Sequence, residues 1–475
     1  MENDKRLLRE QKEKLIPIFT YGAIAHGYQP PRLISLPEGT YQDKKQMDIS
    51  RPRGNYRSEK FNDQILRECY GPILADTKRG IPEGLVFSYF ATLREWLKSD
   101  HPDTYRDIKK NIKNLPDKEY QVLGDPFLHI IMPFFQREDQ LMLYQMGRKA
   151  FEEDNGFLPK GLWLPETAVD KNTLQNAKDA GYEFIMLRDH QLEGVGSGRI
   201  SKFEASQNPV YQHLPNGGEI AIVHFDSGTS GEIAFNSGKT DRVEDFFNDL
   251  SKFLKNEDLL ITGVDLETYG HHKKKKEEFL RSSLLAASNN DYNKFLQNQW
   301  HQNPVGFNVN LLSLRKQLRQ REKTYDNVID RTSWSCSNGH NLGRWTGGCN
   351  CDNPSGEARG DKTRFFNTLS GYNNNINLML DENFKGWRKD FSEKVLKLRT
   401  KIFSGENFLP DLKKMSGERY SLYAAKLYTL IGFTSCGWFF GDTNSIERDL
   451  PKDMIAAVEK IFPEINSYHR RAKAS

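Results

Sequence analysis

A glutamate stands immediately after a short apolar run near the middle of the chain. Gly161 to Leu164 has the composition of a buried parallel strand, and Pro165, which cannot donate to a neighbouring strand, ends it just before Glu166. In parallel α/β proteins, catalytic groups occupy the carboxyl ends of the strands. Glu166 is therefore a candidate catalytic carboxylate, although a glutamate in a loop is more often a solvated residue.

A second apolar run also ends in carboxylates. Leu259 to Val264 is followed by Asp265 and Glu267, and His271 comes shortly after them. If both strands belong to one parallel barrel, Glu166 and Asp265 converge at its mouth. Such a pair suits glycoside hydrolysis, in which one carboxylate attacks the anomeric carbon and the other protonates the leaving oxygen. A separation of about 5–5.5 Å gives retention of configuration, and the two groups must have different pKa values.

The same region also suits a mononuclear metal site, as in a metal-dependent deacetylase. The side chains that could supply ligands are His26, His129, Asp265, Glu267, His271 and His272. The chain has no H-E-x-x-H motif, and the lysine run Lys273 to Lys276 follows at once, where positive charge is unfavourable beside a divalent ion. The metal site is therefore kept as an alternative.

The elements that must position these residues alternate between strands and helices. Apolar runs that end near His26, Phe90, Leu187 and Asp226 are separated by segments with helical spacing. Asp170 is a good N-cap for a helix that follows the central strand. This alternation over more than half of the chain predicts a parallel α/β barrel, and Lys362 to Ser475 shows mainly helical spacing.

Composition narrows the class of protein. The 475 residues are enough for two or three domains, and the net charge of +4 is small and interspersed, which argues against nucleic acid as the main partner. No apolar run approaches the roughly 18 residues that a membrane span needs. The charged N-terminus lacks the pattern of a secretory signal, and five cysteines fit a reducing compartment. We therefore expect a cytoplasmic protein without a nucleic-acid or membrane partner, with its oligomeric state left open.

A group of soft ligands lies in a glycine-rich stretch. Cys336, His340, Cys349 and Cys351 fall within 16 residues and could hold a structural zinc ion. The spacing lacks the paired C-x2-C knuckles of common zinc folds, so a glycine-rich loop with reduced thiols is the alternative.

Five stretches resemble motifs of glycoside hydrolase family 57, in the subgroup loosely named after α-amylase and α-mannosidase. They extend over nearly the whole chain and are His26–Arg32, Trp163–Glu166, Asp265–His272, Thr332–Cys351 and Phe433–Phe440. Two departures stand out. Leu266 occupies a position where the family usually has glycine, and Gly124–Pro126 differs from the common form of the second motif. Both departures bear on the substrate class more than on the general chemistry.

The resemblance implies a (β/α)7 barrel over residues 1–300, followed by an α-helical C-terminal domain over 301–475. A Gly/Cys/Trp-rich loop, 332–360, would pack over the barrel mouth. The family's nucleophile matches Glu166, and its acid/base matches Asp265. We expect substrate contacts from a set of polar and aromatic residues, namely His26, Gln29, Trp163, His129, Glu267, His271, Trp438 and Asp442. For Trp438, a buried aromatic anchor is an equal alternative.

The predicted activity is a retaining glycoside hydrolase on α-linked glycans, most readily α-glucans, that needs no catalytic cofactor. Three alternatives stay open: α-glucanotransferase or branching activity at the same site, a metal-dependent deacetylase-like hydrolase, and a glycan-binding protein without catalysis. Because both catalytic carboxylates are present, the last alternative is the least favoured.

Overall fold

The fold is known from a computed structural model, which describes residues 18–31, 33–37, 39–42, 61–196, 208–235, 241–289, 308–320, 323–335, 342–347, 356–439 and 449–466. The strands within these ranges are β1 (Ile18–Gly27), β2 (Leu33–Leu36), β3 (Gly39–Gln42), β4 (Leu85–Tyr89), β5 (Gly161–Leu162), β6 (Phe184–Arg188), β7 (Val210–His213), β8 (Glu219–Phe225), β9 (Leu259–Asp265), β10 (Asn308–Leu311) and β11 (Thr324–Tyr325).

Parallel strands form a closed barrel. β1 pairs with β9 on one side and with β4 on the other, and β5, β6 and β8 form a parallel run. The segment 122–124 bridges β4 to β5. The backbone amide of Asp226 donates to the carbonyl of Ile261 over 2.8 Å and joins β8 to β9. The described residues thus provide seven parallel positions, and the predicted (β/α)7 barrel is confirmed.

Apolar side chains fill the space between the strands, because strands covered on both faces must be apolar on both faces. One buried cluster joins Ile24, Val86, Phe184, Val223 and Ile261, each at most 2% exposed. Burying each such side chain stabilises the fold by roughly 1.5–3 kcal/mol. β7 runs antiparallel to β8, and β10 extends the sheet beside the first half of β1.

Helices surround the barrel and continue beyond it. Those of the first part are α1 (Phe61–Ile65, continuing as the π-helical turn Leu66–Ala75), α2 (Ala91–Asp100), α3 (Pro102–Lys113), α4 (Lys118–Gln121), α5 (Arg137–Asn155), α6 (Lys171–Asp179), α7 (Glu193–Gly196), α8 (Ser227–Phe235), α9 (Val243–Leu250), α10 (Lys276–Ser288) and α11 (Leu314–Gln320). Asp170 caps α6 as predicted, since its carboxylate accepts from the amide of Thr173 at 2.7 Å.

The C-terminal part is helical, as expected. Its helices are α12 (Gly343–Thr346), α13 (Gly356–Asn383), α14 (Trp387–Ser404), α15 (Leu409–Ser416), α16 (Tyr420–Gly432), α17 (Cys436–Phe439) and α18 (Asp449–Ile461). The predicted boundary between residues 300 and 301 falls outside the described residues and stays a prediction. The chain just after it still belongs to the barrel side, because β10 pairs with β1.

A buried ion pair joins the helical part to the barrel. Lys426 on α16 and Asp139 on α5 are both fully buried, and the Lys426 ammonium lies 2.8 Å from the Asp139 carboxylate. Asn373 and Asn377 on α13 complete the shell around the pair, donating to Asp139 and accepting from Lys426. This network ties α16, which ends just before Ser435, to the barrel.

Candidate active site

The central glutamate sits on a strained turn. The chain leaves β5 through Leu164 into a tight turn, Pro165–Thr167, in which Glu166 has φ 57° and Thr167 has φ 46°. Left-handed backbone at a residue other than glycine costs on the order of 1–3 kcal/mol and persists where the surroundings enforce it. Here the amide of Trp334 donates to the Thr167 hydroxyl at 2.9 Å and reaches the Glu166 carbonyl at 3.2 Å.

Three donors from beyond the barrel surround the Glu166 carboxylate. The Trp334 indole donates to its Oε2 at 3.0 Å, and the Ser335 hydroxyl donates to the same oxygen at 2.6 Å. The Ser435 hydroxyl lies 3.5 Å from Oε1. Burial raises the pKa of Glu166, while these hydrogen bonds and the charge of Arg344 oppose that effect. The donors therefore stabilise the ionised form that a nucleophile requires.

Asp265 ends β9 at the same end of the barrel. In the strand register it lies opposite His26, the penultimate residue of β1. The residue is exposed to solvent, although protein atoms also surround its carboxyl group. Desolvation, together with the negative charges of Glu267 and Glu166, raises the pKa of Asp265 well above its ordinary value. A raised pKa favours the protonated form of a carboxyl group, which is the form that a general acid needs.

Glu267 lies behind Asp265 on the turn Leu266–Thr268. It is 7% exposed, and its Oε1 accepts from the Tyr70 hydroxyl and from the Gln29 amide at 3.2 Å. Burial raises the pKa of Glu267 to about 7, against the opposing effect of the Tyr70 hydroxyl. His271 bonds Glu68 at 2.8 Å. Since Gln29, Glu267 and His271 bond to protein groups here, direct sugar contact by them stays a prediction.

Two histidines stack on each other beside Glu166. His26 Nε2 lies 3.1 Å from His129 Nε2, and His26 Nδ1 lies 2.6 Å from the Ser88 hydroxyl. The Trp163 ring stacks on His26 with the ring centres 4.8 Å apart. Burial lowers the pKa of His26 to about 3 and that of His129 well below its ordinary value, so both imidazoles are neutral.

Ser435 connects this histidine pair to Glu166. Its hydroxyl lies 2.6 Å from His129 Nδ1 and 3.5 Å from Glu166 Oε1. An ionised Glu166 can only accept, so Ser435 must donate to it and accept from His129 Nδ1–H. His129 Nε2 then accepts from His26 Nε2–H, which leaves His26 Nδ1 to accept from Ser88. The hydrogen-bond directions thus agree along the whole chain when Glu166 carries its charge.

Glu166 and Asp265 thus lie at the same end of the barrel, close enough for the charge of Glu166 to raise the pKa of Asp265. A pair of carboxyl groups is what glycoside hydrolysis requires. Residues 29–327, more than half of the chain, match the sequence profile described as Glycosyl hydrolase family 57. The chain belongs to glycosyl hydrolase family 57. The resemblance predicted from the motifs is thereby confirmed.

Curated relatives within family 57 carry two activities in their names. An alpha-amylase from Pyrococcus horikoshii is 29% identical over 36% of this chain and 25% of its own length. A 4-alpha-glucanotransferase from Thermococcus litoralis is 27% identical over 34% of this chain and 23% of its own length. The matched region thus spans about a quarter of the length of these relatives.

A solved structure supports the family 57 fold over nearly the whole chain. The exo-type maltose-forming amylase from Pyrococcus sp. ST04 superimposes with a TM-score of 0.66 at 16% identity. The match covers 96% of this chain and 81% of that chain. At this identity the likeness shows the fold alone, a barrel followed by helices.

Some residues predicted for a family 57 site lie elsewhere or outside the described ranges. Trp438 is 2% exposed and its indole donates to the Gly432 carbonyl at 2.9 Å, which fits the alternative of a buried anchor. Trp163 is fully buried beneath His26. Asp442 and the predicted zinc ligands Cys336, His340, Cys349 and Cys351 lie outside the described residues. Within the described ranges, no group of three or more His, Cys, Asp or Glu side chains is arranged to hold a metal ion.

Several site residues were not predicted from the sequence. Ser335 and Ser435 lie inside stretches that resemble the family, but neither hydroxyl was singled out. Tyr70 was not singled out within its helical pattern, and Tyr28, whose ring stacks on His129 at 3.8 Å, lies in the first motif. A hydroxyl residue in each flagged motif was the available signal for the two serines.

Proposed function

We propose that this chain is a retaining glycosidase that acts on α-linked glycans, α-glucans first, with Glu166 as the nucleophile and Asp265 as the acid/base. The proposal depends mainly on one observation: the two carboxyl groups lie at the same end of the barrel and interact electrostatically, and their surroundings differ. The pKa of Asp265 is raised well above its ordinary value, whereas hydrogen bonds from Trp334 and Ser335 offset part of the effect of burial on the pKa of Glu166. Asp265 donates its proton to the leaving oxygen as Glu166 attacks the anomeric carbon. Asp265 then activates the water that releases the sugar from Glu166.

Single-site variants test the two roles. Glu166→Gln and Asp265→Asn should each lower kcat by about 10³-fold or more on a panel of aryl α-glycosides and α-glucans, while the far-UV circular dichroism stays unchanged. Glu183→Gln is the matched control, because Glu183 precedes β6 at the opposite end of the barrel. A near-normal rate in Glu166→Gln would exclude it as the nucleophile.

Chemical rescue and trapping separate the two roles. Azide should restore part of the turnover of Asp265→Asn on an activated aryl α-glycoside, because azide attacks the glycosyl-enzyme without needing a base. A fluorinated glycosyl fluoride that slows release should leave its sugar on the peptide that contains Glu166. Label on any other carboxylate would contradict the assignment.

Transfer to a second glycan is a related candidate, since an amylase and a glucanotransferase match this chain with nearly equal identity. Both reactions pass through the same glycosyl-enzyme and differ in the acceptor. Incubation with one pure maltooligosaccharide distinguishes them. Hydrolysis releases one reducing end for each bond broken, whereas transfer yields longer and shorter chains at a constant number of reducing ends.

The proposed activity also defines the partner of this chain, but it does not define the location. The substrate is an oligo- or polysaccharide, and the cytoplasmic location stays a prediction. In the described ranges no helix is long and apolar enough to cross a membrane.

A further inference from the structure

The π-helical turn Leu66–Ala75, here called the π segment, uses three consecutive residues to contact the loop that begins at Asp265. This loop is here called the acid/base loop. The Tyr70 hydroxyl donates to Glu267 Oε1. The Cys69 thiol donates to the carbonyl of Leu266 at 3.0 Å. The Glu68 carboxylate accepts from His271 at 2.8 Å and pairs with Lys274. One short segment thus holds the loop that begins at Asp265 at several points.

The packing between these two segments leaves no room for adjustment. Gly270, with φ +115°, approaches the π segment so closely that a Cβ atom there would lie 2.0 Å from the carbonyl oxygen of Glu68. Pro72 lies within the π segment. π-Helical turns are rare and often occur at functional sites. The geometry of the π segment therefore fixes where Tyr70 meets Glu267.

The hydrogen bond between Tyr70 and Glu267 is fully buried, and it favours the charged form of Glu267. Tyr70 is 0% exposed, and burial together with the neighbouring Glu267 charge raises the pKa of its phenol well above 10, so it remains a donor. The Gln29 amide also donates to the Tyr70 oxygen at 2.7 Å, which orients the phenol proton toward Glu267. These donors stabilise the charged form of Glu267, whose charge lies next to Asp265.

We propose that Tyr70 is a positioning residue for the acid/base: its hydroxyl favours the charged form of Glu267, and that charge favours the protonated form of Asp265. The inference rests on the proposed function, in which Asp265 is the acid. Glu267 then acts through Asp265 rather than on the sugar. The structure gives Tyr70 this role through direct contact, although it never touches the reacting atoms.

Other ionisable groups lie close to Asp265 and Glu267, and they must be the same in every variant that is compared. Glu166 acts on Asp265 from the turn after β5, and His26 lies opposite it on β1. On the π segment, Cys69 lies near Glu267. Each of these groups is left unchanged in the variants below.

The pH dependence of kcat/KM tests the inference. Tyr70→Phe removes the donor, so the pKa of Glu267 rises and Glu267 stays protonated, and therefore neutral, up to a higher pH than before. Asp265 then loses the negative neighbour that raised its own pKa. The alkaline limb of the profile should shift to lower pH by about one unit, and the acidic limb should stay in place. The substrate should be an unactivated maltooligosaccharide, because a poor leaving group requires the acid.

Two further variants make the test decisive. Glu267→Gln should shift the alkaline limb in the same direction. The double variant Tyr70→Phe/Glu267→Gln should shift the limb no further than Glu267→Gln alone, because both changes act through the charge of Glu267. Glu267→Gln carries the test alone if Tyr70→Phe fails to fold. Tyr372→Phe is the matched control, because it removes a buried phenol that donates to Glu459 at 2.6 Å in the helical part. It should leave the profile unchanged.

The outcomes separate the two proposals. An unshifted alkaline limb in Tyr70→Phe, or additive shifts in the double variant, would overturn the role of Tyr70 while leaving the proposed function intact. A uniform loss of rate without a shift would reduce Tyr70 to a structural residue and overturn the inference as well. If Asp265→Asn keeps the wild-type rate and both limbs, the proposed function fails, and the inference fails with it.

Discussion

At the scale of single residues, the hydroxyl of Ser335 affects the charge of Glu166, the proposed nucleophile. It donates to Glu166 at 2.6 Å and so favours the ionised form. Ser335→Ala should therefore raise the pKa of Glu166. Because attack needs the ionised form, the acidic limb of kcat/KM should move to higher pH by roughly one unit. A pH series on the preferred substrate measures this shift.

Ser333→Ala provides the control for this prediction. Ser333 is fully buried two residues earlier, and its hydroxyl has no hydrogen-bond partner among the described residues. Its removal should leave the acidic limb unchanged. If both variants move the limb equally, the effect comes from the segment as a whole rather than from the bond to Glu166.

The residues of this site show which parts of it could be predicted from the sequence. Glu166 and Asp265 were predictable because each directly follows an apolar strand, a pattern visible within ten residues. Ser435 lies 269 positions from Glu166, and their contact depends on how α16 docks on the barrel. No local spacing encodes that docking. The resemblance flagged the stretch around Ser435 without assigning its hydroxyl.

At the scale of elements, Gly270 sets the distance between the acid/base loop and the π segment. Gly270→Ala should strain the loop twice, because its φ is +115° and the new Cβ would meet the Glu68 carbonyl. We expect the variant to lose on the order of 1–3 kcal/mol or more of stability and to lose activity, since Asp265 begins the same loop. Thermal unfolding and kcat at a temperature well below the transition measure both effects.

Gly217→Ala distinguishes strain from collision. Gly217 also has a positive φ, +90°, but no heavy atom lies within 4 Å of the point that an alanine Cβ would occupy there. This substitution should therefore carry only the backbone cost and leave the rate unchanged. If the two variants behave alike, close packing against the π segment does not matter.

Periodicity predicted the longer elements and missed the shortest and least regular. β9 and β6 follow clear apolar runs, and Pro165 marks the end of β5. The segment 122–124 has too few residues to show a period, although the barrel needs it as a strand position. The π-helical form of Leu66–Ala75 also escaped prediction, because its apolar spacing is close to that of an ordinary helix.

At the scale of the whole molecule, the barrel supplies Glu166 and Asp265, the two proposed catalytic residues, but the donors to Glu166 come from beyond the barrel. Trp334 and Ser335 follow β11, and Ser435 follows α16. Helical spacing predicted the C-terminal helices, and the resemblance predicted that the loop 332–360 packs over the barrel mouth, but neither identified the donors to Glu166. The position of these donors depends on how the C-terminal helices are attached to the barrel. The buried pair of Lys426 and Asp139 is one point of that attachment.

Removing one partner of this pair should be costly. Lys426→Met removes the cation that lies 2.8 Å from Asp139, while the Arg388 guanidinium remains 3.7 Å away. The substitution should lower the free energy of unfolding by about 3–5 kcal/mol, measured by urea denaturation. Lys394→Met is the control, because its pair with Asp390 is partly exposed and should contribute less than about 1 kcal/mol. Equal losses in the two variants would contradict a special role for the buried pair.

The pH dependence of this loss identifies its cause. In the wild type, burial raises the pKa of Asp139, but the charge of Lys426 and the hydrogen bonds around it lower it overall. The pair therefore stabilises the fold above the ordinary carboxyl pKa, and this stabilisation is lost as the pH falls through the lowered value. In Lys426→Met the pKa of Asp139 should rise, so a proton relieves the unpaired charge on mild acidification. The stability gap to the wild type should then narrow between pH 7 and pH 5, whereas lost packing alone would leave it constant.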